Sequence, residues 1–235
     1  MSLLRGLTPA RRRGEEILDD ASTPADVRDR AMADLIRSNT WFGGTASVLH
    51  AVRGLRASLP LDVVFLDVGT GLAEIPDRVR SELIAGGVRT RTIGMDAAES
   101  VARVARGRLG IALVGDARRL PLRDASANLV TCSQLLHHFE FNAARAVLAE
   151  LHRVSHGWIV VADLRRSWLA AAGFWLASIL LGFHPVTRHD GVVSVLRGFT
   201  VGELEALVRD ATGVTPVMRR SMFWRVTATW RARAA

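Results

Sequence analysis

Hydrophobic and polar positions follow a helical period through the first sixty residues and a strand period after them. Ser22-Thr23-Pro24 precedes a helical pattern from Ala25 to Ile36, with proline in a first turn, where its missing N–H costs nothing. The Gly43-Gly44 break separates it from a second predicted helix, Thr45 to Ala57, and Pro60 ends the segment. Asp62 to Val68 (DVVFLDV) is then a short apolar run of mostly β-type residues, as expected for a strand buried on both faces. Helices predicted at Glu74 to Ala85 (closed by Gly86-Gly87), Ala97 to Arg106 (ended by Gly107) and Phe141 to Val154 alternate with further strands. Those strands are Thr90 to Met95, Ile111 to Val114, Asn128 to Cys132 and Trp158 to Ala162. Alternation at this pitch means βαβ units and a parallel sheet.

Near the end, Thr200 to Ala211 reads as a helix with Thr200 and Glu203 forming a capping box. Val214 to Met218 and Phe223 to Trp230 close the sheet, the last strand antiparallel. The expected architecture is α/β: a Rossmann-like, seven-stranded, mostly parallel sheet with helices on both faces. An N-terminal helical cap (1–60) precedes the main domain (61–235), which carries an apolar helical insertion after the fifth strand, about 165–198.

Within that insertion, Ser167 to Phe183 is an uncharged run of 17 residues behind Arg165-Arg166. A membrane span needs about 17–25 apolar residues, and crossing here would cut the last helix and two strands off from their own sheet. No span is therefore expected. Two readings stay open: a cap helix over an apolar substrate pocket, which is favoured, or peripheral contact with a membrane surface, for which the run lacks a polar face.

Composition removes several function classes. All 31 basic residues are arginine, and neither lysine nor tyrosine occurs. That excludes a Walker A phosphate loop, Schiff-base and pyridoxal-phosphate chemistry, and Tyr/Lys-type short-chain dehydrogenases. Cys132, the single cysteine, excludes an internal disulfide and a cysteine-cage zinc site, and no metal is expected. The Arg-rich stretch Met1 to Glu16 has no apolar core of a secretory leader, so a cytoplasmic setting is the simplest expectation. The net charge of +8 is spread along the chain, with one dense run, Arg11 to Arg13, near an expected frayed terminus. A solvated basic surface is preferred to a nucleic-acid footprint.

The chemistry centres on Phe65-Leu66-Asp67-Val68-Gly69-Thr70-Gly71-Leu72-Ala73-Glu74, a strand running through a glycine turn into a helix. Gly69 and Gly71 allow a tight turn and close approach of a ligand. In a nicotinamide fingerprint the third glycine falls at Glu74, whose carboxylate repels a pyrophosphate from the helix end. A ligand carrying an ammonium and a sulfonium fits better. Asp96 stands at the end of the second strand, placed to bind two ribose hydroxyls, and Asp116-Ala117 follows the third, placed to read an adenine edge.

From about Val63 to Trp230 the chain resembles the class I S-adenosylmethionine-dependent methyltransferases, in particular bacterial ones of small-molecule secondary metabolism. The family's D-x-G-x-G-x-G turn is matched by Asp67 to Ala73, with alanine in the last glycine position. Its ribose-binding acid matches Asp96, its adenine-side pair Asp116-Ala117, and its fourth-strand region Ala127 to Ser133, followed by Leu136-His137-His138-Phe139. The resemblance implies S-adenosylmethionine as cofactor, with Asp67, Gly69, Thr70, Gly71, Asp96, Asp116, Ala117 and Cys132 around it.

Methyl transfer to a hydroxyl requires alignment of the acceptor and removal of its proton, a role that suits histidine. His189, beside Asp190, ranks first as the base; His137 and His138 follow, and His184 is weaker. Trp41, Phe42, Trp168, Phe174 and Trp175 are candidate walls of an apolar pocket. The expected substrate is a small hydroxylated aromatic or polyketide-like metabolite, methylated on oxygen. An RNA or protein methyltransferase and a non-catalytic S-adenosylmethionine-binding protein are the alternatives, and the oligomeric state stays open.

Overall fold

The computed structural model describes residues 8–12, 14–20 and 22–232. Its seven strands are β1 (Asp62–Val68), β2 (Arg89–Asp96), β3 (Ile111–Val114), β4 (Ala127–Ser133), β5 (Ser155–Leu164), β6 (Val217–Ser221) and β7 (Arg225–Arg231). They form one sheet in the order β3-β2-β1-β4-β5-β7-β6. The first five strands are parallel, and β7 runs antiparallel to both β5 and β6. The order reverses between β1 and β4, the place where an open α/β sheet leaves a crevice at its strand C-termini.

Among the described residues the α-helices are α1 (Ala25–Trp41), α2 (Gly44–Leu55), α3 (Glu74–Ala85), α4 (Glu99–Leu109), α5 (Phe141–Val154), α6 (Trp168–Leu180), α7 (Pro185–Arg197) and α8 (Val201–Thr212). Side-chain alternation along the strands divides the core between the two faces. Leu66 and Val68 of β1 join Val147, Leu148 and Leu151 of α5 and Leu204 of α8 on one face. Val63 and Phe65 meet Val48 and Val52 of α2 and Val79 of α3 on the other. Both faces of β1 are thus dry, as its unbroken apolar run requires.

Several boundaries depart from the sequence pattern. α1 runs on to Trp41, and the Thr23 hydroxyl donates to the Ile17 carbonyl (2.7 Å) rather than capping the helix. α4 passes through Gly107 and stops before Gly110, whose φ of +82° takes the chain out of the helix. The capping box of α8 is present, with Thr200 Oγ1 accepting from the Glu203 N–H (3.2 Å). α2 packs into the sheet's own core, so within residues 1–60 the covering part is α1 and the Glu16–Asp20 stretch. The insertion holds two helices, α6 and α7, where one apolar helix was expected. Among the described residues no helix is long and apolar enough to cross a membrane.

The basic run behaves differently from a frayed terminus. Arg11 donates to the carbonyls of Arg197 (2.6 Å), His137 (3.1 Å) and Phe139 (2.8 Å), and its guanidinium stacks over Phe199. Arg13 lies outside the described residues.

Candidate active site

A cavity of about 500 Å³ lies over the C-terminal ends of β1, β2, β4 and β5. Its floor is the glycine turn after β1. The N–H groups of Gly69 and Thr70 both donate to the Met95 carbonyl (2.9 Å each), tying the turn to β2. Gly69 has a φ of +74°, and a Cβ there lies 2.8 Å from Leu135 Cδ2, so the position requires glycine on two counts. Gly71 (φ +53°) faces open space, which leaves its backbone accessible from the cavity. Its N–H donates to Asp96 Oδ2 (3.0 Å), while Asp96 Oδ1 accepts from the Ala98 N–H (3.0 Å). Asp96 is therefore fixed at the mouth of the turn and lines the cavity.

Two more carboxyls stand around this turn. Asp67 is buried beneath it and accepts from the Thr131 hydroxyl across the β1–β4 pairing. Burial pushes its carboxyl up to about 7, against the pull of the Thr131 and Thr70 hydroxyls and with a further push from Asp96. Glu74 begins α3 and lines the cavity. Its Oε1 lies 3.2 Å from Arg78 Nε and 3.4 Å from the hydroxyls of both Thr40 and Thr45, whereas the buried Oε2 has no partner. A buried, unsatisfied carboxylate oxygen beside an open glycine turn suits a cationic group and repels a pyrophosphate. The residues therefore fit S-adenosylmethionine: Asp96 and the open Gly71 backbone for its ribose side, Glu74 for a positive charge.

The other side of the cavity carries the proton chemistry. His137 sits on the single-turn helix Leu136–His138 after β4 and is 4% exposed. Its Nδ1 lies 2.7 Å from Oδ1 of Asp163, a residue of β5 that is 1% exposed. Asp163 also accepts from the backbone N–H groups of His137 (3.1 Å) and Leu164 (2.7 Å). Burial opposes ionisation of Asp163, but His137 and these donors outweigh it and hold the carboxyl below its ordinary value. An ionised Asp163 can only accept, so His137 Nδ1 is the donor in this pair. The Nε2 of His137 lies 3.9 Å from Glu16 Oε1.

His138 borders the same cavity. Burial disfavours its charged form, but Asp19 (3.7 Å), Glu16 and Asp163 together raise its pKa. Glu16, His137 and His138 bring ligand-type atoms within 4.8 Å of one another. Glu16 Oε1, however, already binds Arg197 (3.0 Å) and the Ser194 hydroxyl (2.8 Å), and that guanidinium opposes a cation in the same place. A third network joins Asn39, Gln134 and Arg225 along the wall, with Gln134 donating to Asn39 (2.7 Å) and accepting from Arg225 (2.7 Å). Burial pulls the Arg225 guanidinium down to about 10, partly offset by Asp163.

Of the residues singled out from the sequence, Gly69, Thr70, Gly71, Asp96, His137 and His138 meet around this cavity, and Asp67 lies beneath its floor. Asp116 stands outside the cavity lining, exposed and paired with Arg118 (2.7 Å), while Ala117 and Cys132 are packed in the core. His189 is also outside the lining. Its ring is half-exposed on α7, and its Nδ1 lies 2.9 Å from Asp190 Oδ1, a carboxylate that also accepts from the N–H groups of Ile17 (2.8 Å) and Leu18 (3.0 Å). The carboxylate that orients the histidine lining the cavity is Asp163, which sequence reading passed over although it follows the same strand-end pattern as Asp96. Glu16, Asp19, Asn39 and Arg225 gave no sequence signal, because nothing local marks their convergence.

Residues 66–161 match a family model described as a methyltransferase domain. The chain carries a methyltransferase domain. It is an enzyme domain whose cofactor is S-adenosylmethionine. No curated protein sequence matches the chain. Among solved structures, the methyltransferase is similar to a SAM-dependent methyltransferase from Thermotoga maritima, with 17% identity, a TM-score of 0.59 and coverage of 88% of this chain and 99% of that one. A SAM-dependent methyltransferase from Aquifex aeolicus shares 16% identity with a TM-score of 0.59, covering 84% and 95% of the two chains. Magnesium protoporphyrin IX methyltransferase from Synechocystis, solved with bound SAH, shares 14% with a TM-score of 0.55 over 90% of each chain. At these identities the likeness speaks for the fold. The matched stretch contains Gly69, Gly71 and Asp96; Glu16, α1, Asp163, α6 and α7 lie outside it.

Proposed function

We propose that this methyltransferase acts on a hydroxyl oxygen of a small, hydroxylated aromatic or polyketide-like acceptor, with His137 as the base. The observation that carries the reading is the buried His137–Asp163 pair on the wall of a cavity whose other side is the Gly69–Gly71 turn. When bound, S-adenosylmethionine would supply a methyl carbon activated by its sulfonium, with S-adenosylhomocysteine as the co-product. Gly71, Asp96 and Glu74 would hold and orient it. His137 Nε2 would take up the proton that the acceptor hydroxyl loses on methylation. Asp163 keeps the ring in the required tautomer and stabilises the imidazolium that results.

Acceptor class is argued from the walls. Met32, Leu35 and Ile36 of α1 and Phe174 of α6 give the cavity an apolar side that suits a flat, weakly polar ring. A net charge of +8 favours an RNA acceptor instead. Part of that charge is spent inside the fold, however: the buried Arg225 binds the Phe42 carbonyl and Gln134, and Arg11 binds three backbone carbonyls. The test is methyl transfer from labelled S-adenosylmethionine to a panel of phenols and to total RNA. Label in phenols that disappears in His137→Ala supports the proposal. Label in RNA alone, or phenol turnover unchanged in His137→Ala, contradicts it.

A further inference from the structure

α6 has no charged residue from Trp168 to Leu180, and its two sides have different fates. Ala170, Ala171 and Ser178 are buried, the two alanines beside Val195 and Leu196 of α7, and Phe174 lines the cavity. The opposite side presents Trp168, Leu169, Trp175, Leu176, Ile179 and Leu180 to solvent, with Trp175 51%, Leu176 54% and Leu180 77% exposed. An exposed apolar face of this kind on a folded chain marks a contact surface.

A chain of ring contacts runs beneath α6, from the exposed Trp41 through the buried Phe183 (6.3 Å) and the cavity-lining Phe174 (6.4 Å) to Phe42 (5.5 Å) and the exposed Phe223 (6.0 Å) in the β6–β7 turn. Met222 in that turn is also exposed. Five arginines flank this face in the sequence or the structure, while Asp34 near Trp41 is paired with Arg37 (3.0 Å). Arg12 stacks over Trp168 (4.8 Å), Arg165 immediately precedes α6, Arg188 follows it, and Arg219 and Arg220 are exposed on β6. Arg220 is close enough for its charge to bear on Arg165. Among the described residues no carboxylate pairs with any of these five arginines, and the segment 165–198 contains a single acidic residue, Asp190, which is buried.

We infer that the outer face of α6, with its arginine collar, docks the protein on an anionic lipid surface. Tryptophans at an apolar face bordered by arginines are suited to a headgroup boundary, where rings sit at the interface and guanidinium groups meet lipid phosphates. α6 needs no polar face of its own, because its inner side is already covered by α7. A second copy of the chain would bring a like net charge of +8 to a collar that is itself basic, whereas an anionic bilayer complements it. Phe174 belongs both to α6 and to the cavity wall, so docking sets the cavity beside the lipid. The inference stands whatever the methyl acceptor is.

The test is flotation of the purified full chain with vesicles of phosphatidylcholine alone and of phosphatidylcholine mixed with phosphatidylglycerol. Binding at least about tenfold tighter to the anionic vesicles, weakened by salt, is expected from the arginine collar. Trp175→Glu with Leu176→Glu should abolish it, and the milder Leu180→Glu should reduce it, with S-adenosylhomocysteine binding retained as the control for folding. No flotation of the wild-type chain, or equal flotation of folded variants, overturns the inference. So does a concentration-dependent dimer that these substitutions dissociate while vesicles stay unbound.

Discussion

His137 and Asp163 share a buried hydrogen bond of 2.7 Å from Nδ1 to Oδ1, and the carboxylate is held in turn by two backbone N–H groups. The histidine cannot rotate without leaving that buried charge unpaired, so its Nε2 stays directed away from Asp163. Asp163→Asn keeps the shape but can donate to Nδ1 and stabilise the wrong tautomer. Turnover should fall by about 10²–10⁴-fold, while S-adenosylhomocysteine affinity measured by calorimetry stays within about twofold. His189→Ala should leave turnover within about threefold, as for a surface substitution away from the chemistry.

Asp67 gives a pH signature. Its carboxyl titrates near 4 in the unfolded chain and near 7 in the fold. The folded state therefore binds its proton more tightly, and the stability this confers is complete below about pH 4 and lost as pH rises through 7. The loss amounts to roughly 4 kcal/mol once the group is ionised. Asp67→Asn removes the titration. Urea midpoints should show the variant gaining on the wild type between pH 5 and pH 8; a constant difference across that range would refute the raised pKa.

Ala73 occupies a left-handed backbone position (φ +62°) where the resembled family has glycine. Left-handed strain costs an alanine about 1–2 kcal/mol, but its methyl is buried against Ala105, Leu109 and Ala112, worth about 0.8 kcal/mol. Glycine also brings its own entropy cost of about 0.5–1 kcal/mol. These nearly cancel, so Ala73→Gly should change stability by less than about 1 kcal/mol. Ala73→Val adds bulk and β-branching at positive φ and should cost at least about 3 kcal/mol by denaturant titration.

Legibility in the sequence followed the range of the interactions. Asp62–Val68, Glu74–Ala85, Ile111–Val114 and Phe141–Val154 fall where the local pattern predicts them. α4 overruns Gly107 because an interior glycine costs only about 1 kcal/mol, which packing of Ala102, Ala105 and Leu109 outweighs. α7 escaped notice because its cue is a tertiary one. A Cβ at Gly191 would sit 2.0 Å from Phe174, so this glycine is the contact point of two helices and not a break. Likewise, the turn around Gly69 and Gly71 was readable as one contiguous segment. The wall across from that turn draws Glu16, Asn39, His137, Asp163 and Arg225 from five separate stretches, and only the fold brings them together. Two of the strand-end positions lie apart from this cavity: Asp116 pairs with Arg118, and Cys132 packs into the α5 side of the core.

The central claim is that the Gly69–Gly71 turn and Asp96 hold S-adenosylmethionine. Its most direct test is a calorimetric titration of the wild-type chain and of Asp96→Ala with S-adenosylmethionine and S-adenosylhomocysteine. Saturable binding of both by the wild type is expected, weakened in the variant by roughly 1–3 kcal/mol through lost hydrogen bonds to charge. Absence of binding by folded wild-type protein, or unchanged affinity in folded Asp96→Ala, would contradict it.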